Sequence, residues 1–539
     1  MNKKHGSFKL IFSILLLTAA FCIVQYYIWG NAYITEFHAD CTDTLLWAQA
    51  SLESGSLFKP TFDYAYRLAF GGQWLFMPFL KLFGIGMTAL RAGMCLFTCL
   101  FTLVLFLFFR ALHTDRSTAF AETAVMLLAV CATKKTREIF YGHIIHYSLS
   151  VFYLLAAVAL ICAFLKRESK TGRIVSALVL TVWLFMCSAN GTVQMLYVTL
   201  PLLAGCAAEA WLSRNKKLLP VIGCICIAAA AGLLFSRSLN TNYSDGYSVI
   251  VPAEEWAGNL LNFPKRWISL FYELPGKKLD AFTPVWIKTV LRIITAAIML
   301  AGYCISFSRH KKVETAGERI FIYTAWAMFA AFLFFFVFGK ISDVDWRLIP
   351  PLFACEVTVL ILFRREAADH FRERSVSSGL TLLCGAMLAV HAALSGISVL
   401  RIPYDIKIWF AQDGLLETLK KHGLDHGYIT SYWLSNSVTV LSGGTVSPRS
   451  IAWGDEGPYL LPFNSDMEWY DDLPGTERYY LAVKASEYDP ESTLAKEASE
   501  TYTCFQEDTR NSVSENYVIM VLDRNIMKEE YDRLIVRYR

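Results

Sequence analysis

Long apolar runs dominate the first 400 residues of this sequence and restrict what it can fold into. A helix that crosses the hydrocarbon core of a bilayer needs about 20 mostly apolar residues. The chain is 55% hydrophobic and only 18% charged, whereas soluble domains carry about 25% charged residues. Candidate runs lie near residues 10–29, 88–109, 117–133, 145–165, 174–190, 193–212, 218–236, 285–307, 320–339, 348–363 and 379–400. The sequence therefore predicts an all-α, multi-span membrane bundle of about eleven helices over residues 1–400.

The distribution of Lys and Arg predicts the orientation of these spans. With the N-terminus inside, the short inner segments carry 20 basic residues in 50 positions, and the outer segments carry 12 in 112. Cytoplasmic loops of membrane proteins are enriched in Lys and Arg. We therefore expect a multi-pass protein of the cell (plasma) membrane with a cytoplasmic N-terminus and long outer loops at 31–72 and 237–284. Because the number of spans is odd, the C-terminal domain is expected to be extracytoplasmic.

Residues 401–539 have the charge density of a water-exposed domain. Gln412–His422 predicts a short amphipathic helix. Strands are predicted by β-branched and aromatic content at Tyr428–Trp433, Ser437–Leu441, Tyr479–Val483 and Tyr517–Leu522. Helical segments between strands favour a small α/β layer domain.

Two carboxylates, Asp40 and Asp43, follow the first predicted span closely. Ionisable groups near membrane depth are costly to place there and are therefore candidates for function. The sequence after Asp43 predicts an amphipathic helix, and Asp43 suits the N-cap of a helix over Thr44–Ser54. A capping role thus stays open for Asp43. Asp40 is not needed for capping, which favours a chemical role for it.

Basic residues are rare on the predicted outer side, except where Lys134, Lys135 and Arg137 close the third span. An anion at the lipid–water boundary would favour this placement. Arg347 is expected at an equivalent depth before a late span. Arg binds phosphate oxygens in pairs, and Lys binds them as a point charge. These residues predict a phosphate site at Lys135, Arg137 and Arg347, with snorkelling side chains as the alternative.

Two further polar positions are candidates for contacts in a substrate cavity. His143 and His146 have the spacing of one helix face, and Asn190 lies in a polar turn between two spans. Two imidazoles at this spacing can ligate a metal, but no third ligand is apparent nearby in the sequence. We predict His143 and Asn190 as substrate-facing residues without a metal.

The arrangement resembles the GT-C superfamily of polytopic membrane glycosyltransferases, which includes protein O-mannosyltransferases, the aminoarabinose transferase of lipid A and oligosaccharyltransferase. The resemblance is carried by four segments: His38-Ala-Asp-Cys-Thr-Asp43, Gly71-Gly-Gln-Trp-Leu-Phe-Met-Pro78 continuing to Leu82-Phe-Gly84, Arg137 with Tyr141-Gly142-His143, and Arg347-Leu-Ile-Pro350. The sequence departs from the mannosyltransferase pattern, since Cys41 and Thr42 separate its two acids.

The resemblance implies an inverting enzyme that transfers a hexosyl or pentosyl unit from a polyprenyl-phosphate carrier to an extracytoplasmic glycan, lipid or protein. It implies Asp40 as the general base, with Asp43 as its helper or as a ligand of a divalent metal. No other cofactor and no nucleic acid are expected. Lys135, Arg137 and Arg347 would hold the phosphate, and His143 and Asn190 would line the cavity. A lipid phosphate is a good leaving group, so cations that stabilise its charge suffice without a general acid.

The main alternative is a polytopic transporter or flippase of lipid-linked or cell-envelope precursors. Such a protein places ionisable residues in the middle of its spans, along a pathway. Glu356 and His391 are the deepest candidates, whereas most of the others (Glu122, Glu209, Lys288 and Arg292) lie towards span ends. A ligase or polymerase of lipid-linked glycans and a non-catalytic scaffold that binds through residues 401–539 are further alternatives.

Overall fold

The computed structural model describes residues 3–30, 36–112, 114–239, 242–243, 250–272, 280–340, 344–369, 376–402, 414–454, 457–508 and 513–537. Parts of the predicted loops 31–72 and 237–284 lie outside these ranges. The chain forms two compact units. We call residues 1–26, 98–238 and 245–402 the bundle unit, and residues 27–97, 239–244 and 403–539 the sheet unit.

The helices of the described residues have the following bounds: α1 Lys3–Trp29, α2 Asp43–Ser54, α3 Gln73–Phe83, α4 Met87–Ala111, α5 Arg116–Ala129, α6 Lys134–Arg137, α7 His146–Lys166, α8 Lys170–Ala189, α9 Thr192–Leu212, α10 Leu219–Ser238, α11 Ala253–Ser269, α12 Pro284–Arg309, α13 Ala316–Phe338, α14 Ile349–Asp369, α15 Val376–Leu400, α16 Leu415–Lys421, α17 Tyr432–Leu441, α18 Thr493–Glu497 and α19 Lys528–Ile535. Ten of them are long and apolar enough to cross a membrane. The prediction of a multi-span α bundle is confirmed.

The third predicted run, 117–133, corresponds to a bent pair rather than to a straight helix. Helix α5 and the segment Lys134–Gly142 pass the test for a span only together, and they meet at an angle of 120°. The break is built into the sequence, because Thr133 caps α6 through a reciprocal hydrogen-bond pair with Thr136. With this pair counted as one span, the described residues contain eleven.

Ionisable side chains in several spans are paired within the bundle unit. Arg364 contacts Glu122 at 3.0 Å and Glu318 at 2.5 Å, and so connects α5, α13 and α14. Arg319 contacts Glu209 at 2.7 Å. A charge buried without such a partner would be strongly destabilising. Glu122 and Glu209, two of the candidates for a transport pathway, therefore have a structural explanation.

The strands of the described residues are β1 Phe62–Tyr64, β2 Asn242–Tyr243, β3 His426–Ile429, β4 Ser447–Gly454, β5 Gly457–Leu460, β6 Ser465–Asp466, β7 Tyr479–Lys484, β8 Glu500–Asp508 and β9 Val513–Leu522. Six of them form a sheet in the order β5-β4-β3-β7-β9-β8. Strand β3 runs parallel to β4 and β7, and the other pairs are antiparallel. Helices pack on this sheet, which confirms the predicted C-terminal α/β domain.

One predicted strand of this domain is wrong. Ser437–Leu441 belongs to helix α17, and the strand predicted over Tyr428–Trp433 ends at Ile429. Val438 and Leu434 bury their side chains from α17 in a core cluster with Tyr480 of the sheet. Packing of this kind outweighs the intrinsic strand preference of β-branched residues.

The segment after α1 belongs to the sheet unit, whereas the sequence prediction placed it in a membrane domain ending at residue 400. Strand β1 pairs with β6 in a small sheet, with Phe62 opposite Asp466. The backbone N–H of Met467 donates to the Thr61 carbonyl at 2.8 Å. Lys59 Nζ lies 2.5 Å from Asp466 Oδ2. These contacts join residues 27–97 to the C-terminal domain in one compact unit.

Candidate functional site

Asp40 lies on a tight 3₁₀ turn, Ala39–Thr42, directly before α2. The other three residues of this turn are buried, but the Asp40 side chain is 28% exposed. Its Oδ2 lies 3.9 Å from Nδ1 of His38, whose side chain is only 2% exposed. We call residues 38–43 the acid-bearing turn. It presents one accessible carboxylate beside a buried imidazole.

Asp43 is the first residue of α2 rather than its N-cap. The N-cap is Thr42, whose side chain makes no capping hydrogen bond. The Asp43 carboxylate is buried, and its Oδ1 accepts hydrogen bonds from Asn464 Nδ2 and from the Tyr432 hydroxyl. The capping alternative for Asp43 is therefore wrong. Its carboxylate binds the C-terminal domain instead.

Asn464 connects three side chains of the sheet unit. Its Nδ2 donates to Asp43 and, at 3.3 Å, to the Tyr432 hydroxyl, while its Oδ1 accepts from Trp47 Nε1 at 2.6 Å. An indole N–H can only donate, so the orientation of the amide is fixed. Burial raises the pKa of Tyr432 well above its usual range, with the nearby Asp43 charge as a further cause. The hydroxyl therefore remains a donor at neutral pH.

No pattern in the sequence points to Asn464 or Tyr432 as partners of Asp43. They are 421 and 389 residues from Asp43, and neither forms part of a local motif. Asn464 and Tyr432 direct an N–H and an O–H group at Asp43 Oδ1. A metal needs lone pairs from its ligands, so this arrangement does not favour metal binding at Asp43.

The bundle unit contains the predicted cationic residues. Lys135 Nζ lies 2.5 Å from Glu138 Oε2 and 4.5 Å from the centre of the Trp346 ring. Arg347, the next residue, donates from Nη1 to the Lys340 carbonyl at 2.6 Å. Lys135 and the segment that carries Arg347 thus lie close together. We call Lys135, Glu138, His143 and Arg347 the cationic cluster.

Glu138 is the residue of this cluster to which the sequence argument assigned no role. Its side chain is 3% exposed and contacts both Lys135 and Nε2 of His143, the latter at 3.4 Å. A carboxylate here offsets part of the positive charge. It also holds the Lys135 ammonium in place. The position of Glu138 directly after Arg137 could have indicated a role for it beside the predicted basic residues.

The two histidines do not share a helix face. His143 has an extended backbone, with φ −155° and ψ 167°, at the end of a π-helical turn over Glu138–Gly142. His146 begins α7. His143 and His146 therefore belong to different elements.

Arg137 and Asn190 lie at helix ends. Arg137 is buried and donates from Nη1 to the Cys131 carbonyl at 3.0 Å, at the break between α5 and α6. Carbonyls at the end of a helix lack partners within the helix, and a side-chain donor can satisfy them. Asn190 is buried at the C-terminal end of α8 and is hydrogen-bonded to Tyr153. These contacts are compatible with structural roles for both residues.

The deepest ionisable residues, Glu356 and His391, line a small cavity in the bundle unit. Both side chains are buried. The cavity has a volume of about 10 Å³, which accommodates about one water molecule. Arg292 donates to the Phe271 carbonyl at 3.0 Å, and Lys288 donates to Ser398 at 3.0 Å. In this structure the cavity is far too small for a lipid-linked precursor.

The sequence matches no protein-family model and no curated protein. Among solved structures, the chain is similar to the oligosaccharyltransferase of Archaeoglobus fulgidus in the apo form, at 13% identity and a TM-score of 0.43. That alignment covers 82% of this chain and 65% of the other, so the chain spans less than two thirds of the oligosaccharyltransferase.

The chain is also similar to ArnT from Cupriavidus metallidurans bound to undecaprenyl phosphate. The identity is 13%, the TM-score 0.42, and the alignment covers 94% of this chain and 97% of ArnT. The complex of archaeal AglB from Archaeoglobus fulgidus with an inhibitory peptide and a dolichol-phosphate is similar at 13% identity and a TM-score of 0.41. That alignment covers 82% of this chain and 64% of AglB.

Proposed function

We propose that this protein is a membrane glycosyltransferase that transfers a sugar, a hexosyl or pentosyl unit, from a polyprenyl-phosphate carrier to an extracytoplasmic acceptor. Its N-terminus would be cytoplasmic and its C-terminal domain extracytoplasmic. Transfer would invert the anomeric centre, because a single displacement needs only one base and a leaving group. The acceptor would be a glycan, a lipid or a protein.

The observation that carries this proposal is the accessible carboxylate of Asp40 on a buried turn. A general base must reach the proton that it removes. The exposed Asp40 side chain meets this condition, whereas Asp43 is buried and already accepts two hydrogen bonds. Asp40 would take the proton of the acceptor hydroxyl as its oxygen bonds to the anomeric carbon. Asp43 would act as a helper that fixes the turn.

The cationic cluster would bind the phosphate of the carrier. As the bond between the anomeric carbon and the phosphate oxygen breaks, the electron pair stays on that oxygen. Lys135 and Arg347 would stabilise the resulting negative charge. Arg137, His143 and Asn190 would support this site, Arg137 and Asn190 by holding helix ends and His143 through its contact with Glu138.

The test is turnover of a panel of polyprenyl-phosphate sugars with glycan, lipid and protein acceptors, read as release of free polyprenyl phosphate by the purified protein. We expect the wild type to release it with at least one donor and Asp40→Asn to lose at least about 100-fold in kcat, since general-base catalysis contributes about 10² to 10⁴. Glu491→Gln, a change of the same type at an exposed side chain, is the matched control and should retain full activity.

Two outcomes of this assay would contradict the proposal. No release from any donor with any of these acceptors, by folded wild-type protein, would contradict the proposed function. Wild-type turnover in Asp40→Asn would exclude Asp40 as the base. The anomeric configuration of the product, read by NMR, tests inversion separately.

A further inference from the structure

Two parts of the C-terminal domain, helix α17 and the loop before β6, contact the acid-bearing turn within the sheet unit. Helix α17 packs on the turn Ala39–Thr42, and its first residue, Tyr432, donates to Asp43. The loop before β6 contributes Asn464, which also donates to Asp43. The ring of Trp433 meets His38 edge-on, with ring centres 5.9 Å apart.

From these contacts we propose that Asn464 and Tyr432 are positioning residues that hold Asp43, and through it the turn that carries Asp40, in the geometry required for base catalysis. This inference rests on the proposed glycosyltransferase function and gives the C-terminal domain a part in the reaction. Neither residue touches the acceptor in this account. Each acts through Asp43.

The mechanical connection from Asn464 to Asp40 is short. The backbone N–H of Asp43 donates to the Asp40 carbonyl, which closes the turn. The Asp43 carboxylate is in turn fixed by Asn464 and Tyr432. Asp40 therefore sits on a turn anchored at Asp43 by side chains from the other end of the sequence. A displacement of about 1 Å in a catalytic group can lower kcat by about 100-fold.

Position 464 combines requirements that asparagine meets. Its backbone has φ +55°, in the left-handed region, which Asn and Gly adopt more readily than other residues. Its side chain must accept from Trp47 and donate to a carboxylate. An aspartate at this position could still accept from the indole, but it would place a second negative charge against Asp43.

The structure around Asn464 should let variants at this position fold, so their kinetics can be compared with the wild type. The segment after Asn464 is anchored by the pairing of β6 with β1 and by Lys59, which contacts Asp466 at 2.5 Å and Glu468 at 2.9 Å. Asn464→Asp should therefore fold with the loop in place. Asn464→Gly removes the amide while retaining freedom for the left-handed backbone. Tyr432→Phe removes one donor alone.

Tyr428 and Asn525, in the same unit, form a residue pair that serves as a matched control. The Tyr428 hydroxyl donates to Asn525 Oδ1 at 2.5 Å, and Asn525 Nδ2 donates to the Tyr470 carbonyl. This is another buried Tyr–Asn pair in which no carboxylate of the acid-bearing turn takes part. Asn525→Asp should destabilise the domain without altering the pH dependence of turnover.

The experiment measures turnover and unfolding for the full-length wild type, the single variants and Asp43→Asn/Asn464→Asp. We expect Asn464→Asp to lower kcat on the order of 100-fold while KM for the donor changes less than about two-fold. In Tyr432→Phe and Asn464→Gly the acid limb of the pH–rate profile should move to higher pH. The Asp43 carboxylate loses a hydrogen-bond donor and is protonated more easily, and a protonated Asp43 holds the turn that carries Asp40 less firmly. The double variant should recover thermal stability relative to Asn464→Asp, since it exchanges amide and carboxylate.

Each outcome separates the possibilities. Lost stability without recovery in the double variant would refute the contact between Asp43 and Asn464. Stability coupling with unchanged kcat and an unchanged pH profile would refute the positioning role, and so would the same profile shift in Asn525→Asp. Wild-type protein without turnover on any donor would instead refute the proposed function, and with it the positioning role.

Discussion

Glu138 determines how much positive charge the cationic cluster offers to a ligand. It contacts Lys135 and His143, so a bound phosphate would compete with it for the Lys135 ammonium. A hydrogen bond between charged groups contributes about 1.5–3 kcal/mol. The charge balance at this carboxylate, rather than the number of basic residues, should therefore set the affinity for the donor.

We expect Lys135→Gln and Arg347→Gln each to raise KM for the donor by about 10- to 100-fold, which corresponds to the loss of one charged hydrogen bond. Lys135→Arg should retain most of the affinity. Glu138→Gln should act in the opposite direction and lower KM, because it frees the ammonium for the phosphate. Steady-state kinetics over a range of donor concentrations measures this. Equal KM values in all four variants would place the phosphate elsewhere.

Asp63 in β1 introduces a pH dependence into stability. Burial raises the pKa of Asp63 to about 6, above the value of about 3.9 for an unfolded chain. Between these values the folded state binds more protons than the unfolded state. The free energy of unfolding therefore falls as pH rises through this window, and the loss is complete above about pH 6.

Asp63→Asn should remove this dependence and unfold at a higher temperature than the wild type at pH 7. At pH 4 the two proteins should unfold at similar temperatures. Thermal unfolding at several pH values measures the difference. A melting temperature that falls between pH 4 and pH 7 by the same amount in both proteins would assign the titration to other groups.

At the scale of helices, close packing depends on small residues at defined positions. Gly232 of α10 lies against α8, where an added Cβ would be 2.8 Å from both the Ala189 nitrogen and the Phe185 carbonyl oxygen. Gly223 of the same helix has no atom within 4 Å of such a Cβ. Small residues that let backbones approach are typical of helix interfaces in membranes.

Gly232 and Gly223 allow a prediction with an internal control, because both lie on α10 and only Gly232 packs against α8. Gly232→Ala should lower the melting temperature in detergent, because α10 must move away from the backbone of α8. Gly223→Ala should leave it unchanged or raise it slightly, since alanine favours helix by roughly 0.5–1 kcal/mol. Equal melting temperatures for the two variants would show that α8 and α10 do not pack at Gly232.

The elements that the sequence predicted well are those with strong local signals. Apolar runs located the spans. The resemblance and the charge placement gave Asp40, Lys135 and Arg347 as site residues, and these roles stay predictions. The third span was predicted to end at residue 133, but its continuation as the bent helical segment Lys134–Gly142 was not predicted, because the basic residues there have no apolar pattern. It assigned Ser437–Leu441 to a strand, because burial against Tyr480 is not visible locally. Asn464 and Tyr432 could not be found from one sequence, since their partner is about 400 residues away.

At the scale of the whole molecule, the sheet unit is assembled from three separate parts of the chain, residues 27–97, 239–244 and 403–539. Strand β1 and helix α2 belong to the first loop, while β6 and Asn464 belong to the C-terminal domain. If the charge bias of the loops sets the orientation, the acid-bearing turn and the C-terminal domain of this unit are extracytoplasmic. The proposed function needs that orientation, because its acceptor is outside the cytoplasm.

Single cysteines test the orientation in intact cells with a maleimide that does not cross membranes. We expect Glu491→Cys, in the sheet unit with a side chain that is 82% exposed, to react at once. Glu168→Cys, at an exposed position between α7 and α8, should react only after the cells are permeabilised, because the basic residues around it favour the cytoplasmic side. The background is a variant in which the exposed native cysteines at 22, 99, 226 and 304 are replaced by alanine. The reverse labelling pattern would place Asp40 and Asn464 in the cytoplasm and would exclude an extracytoplasmic acceptor.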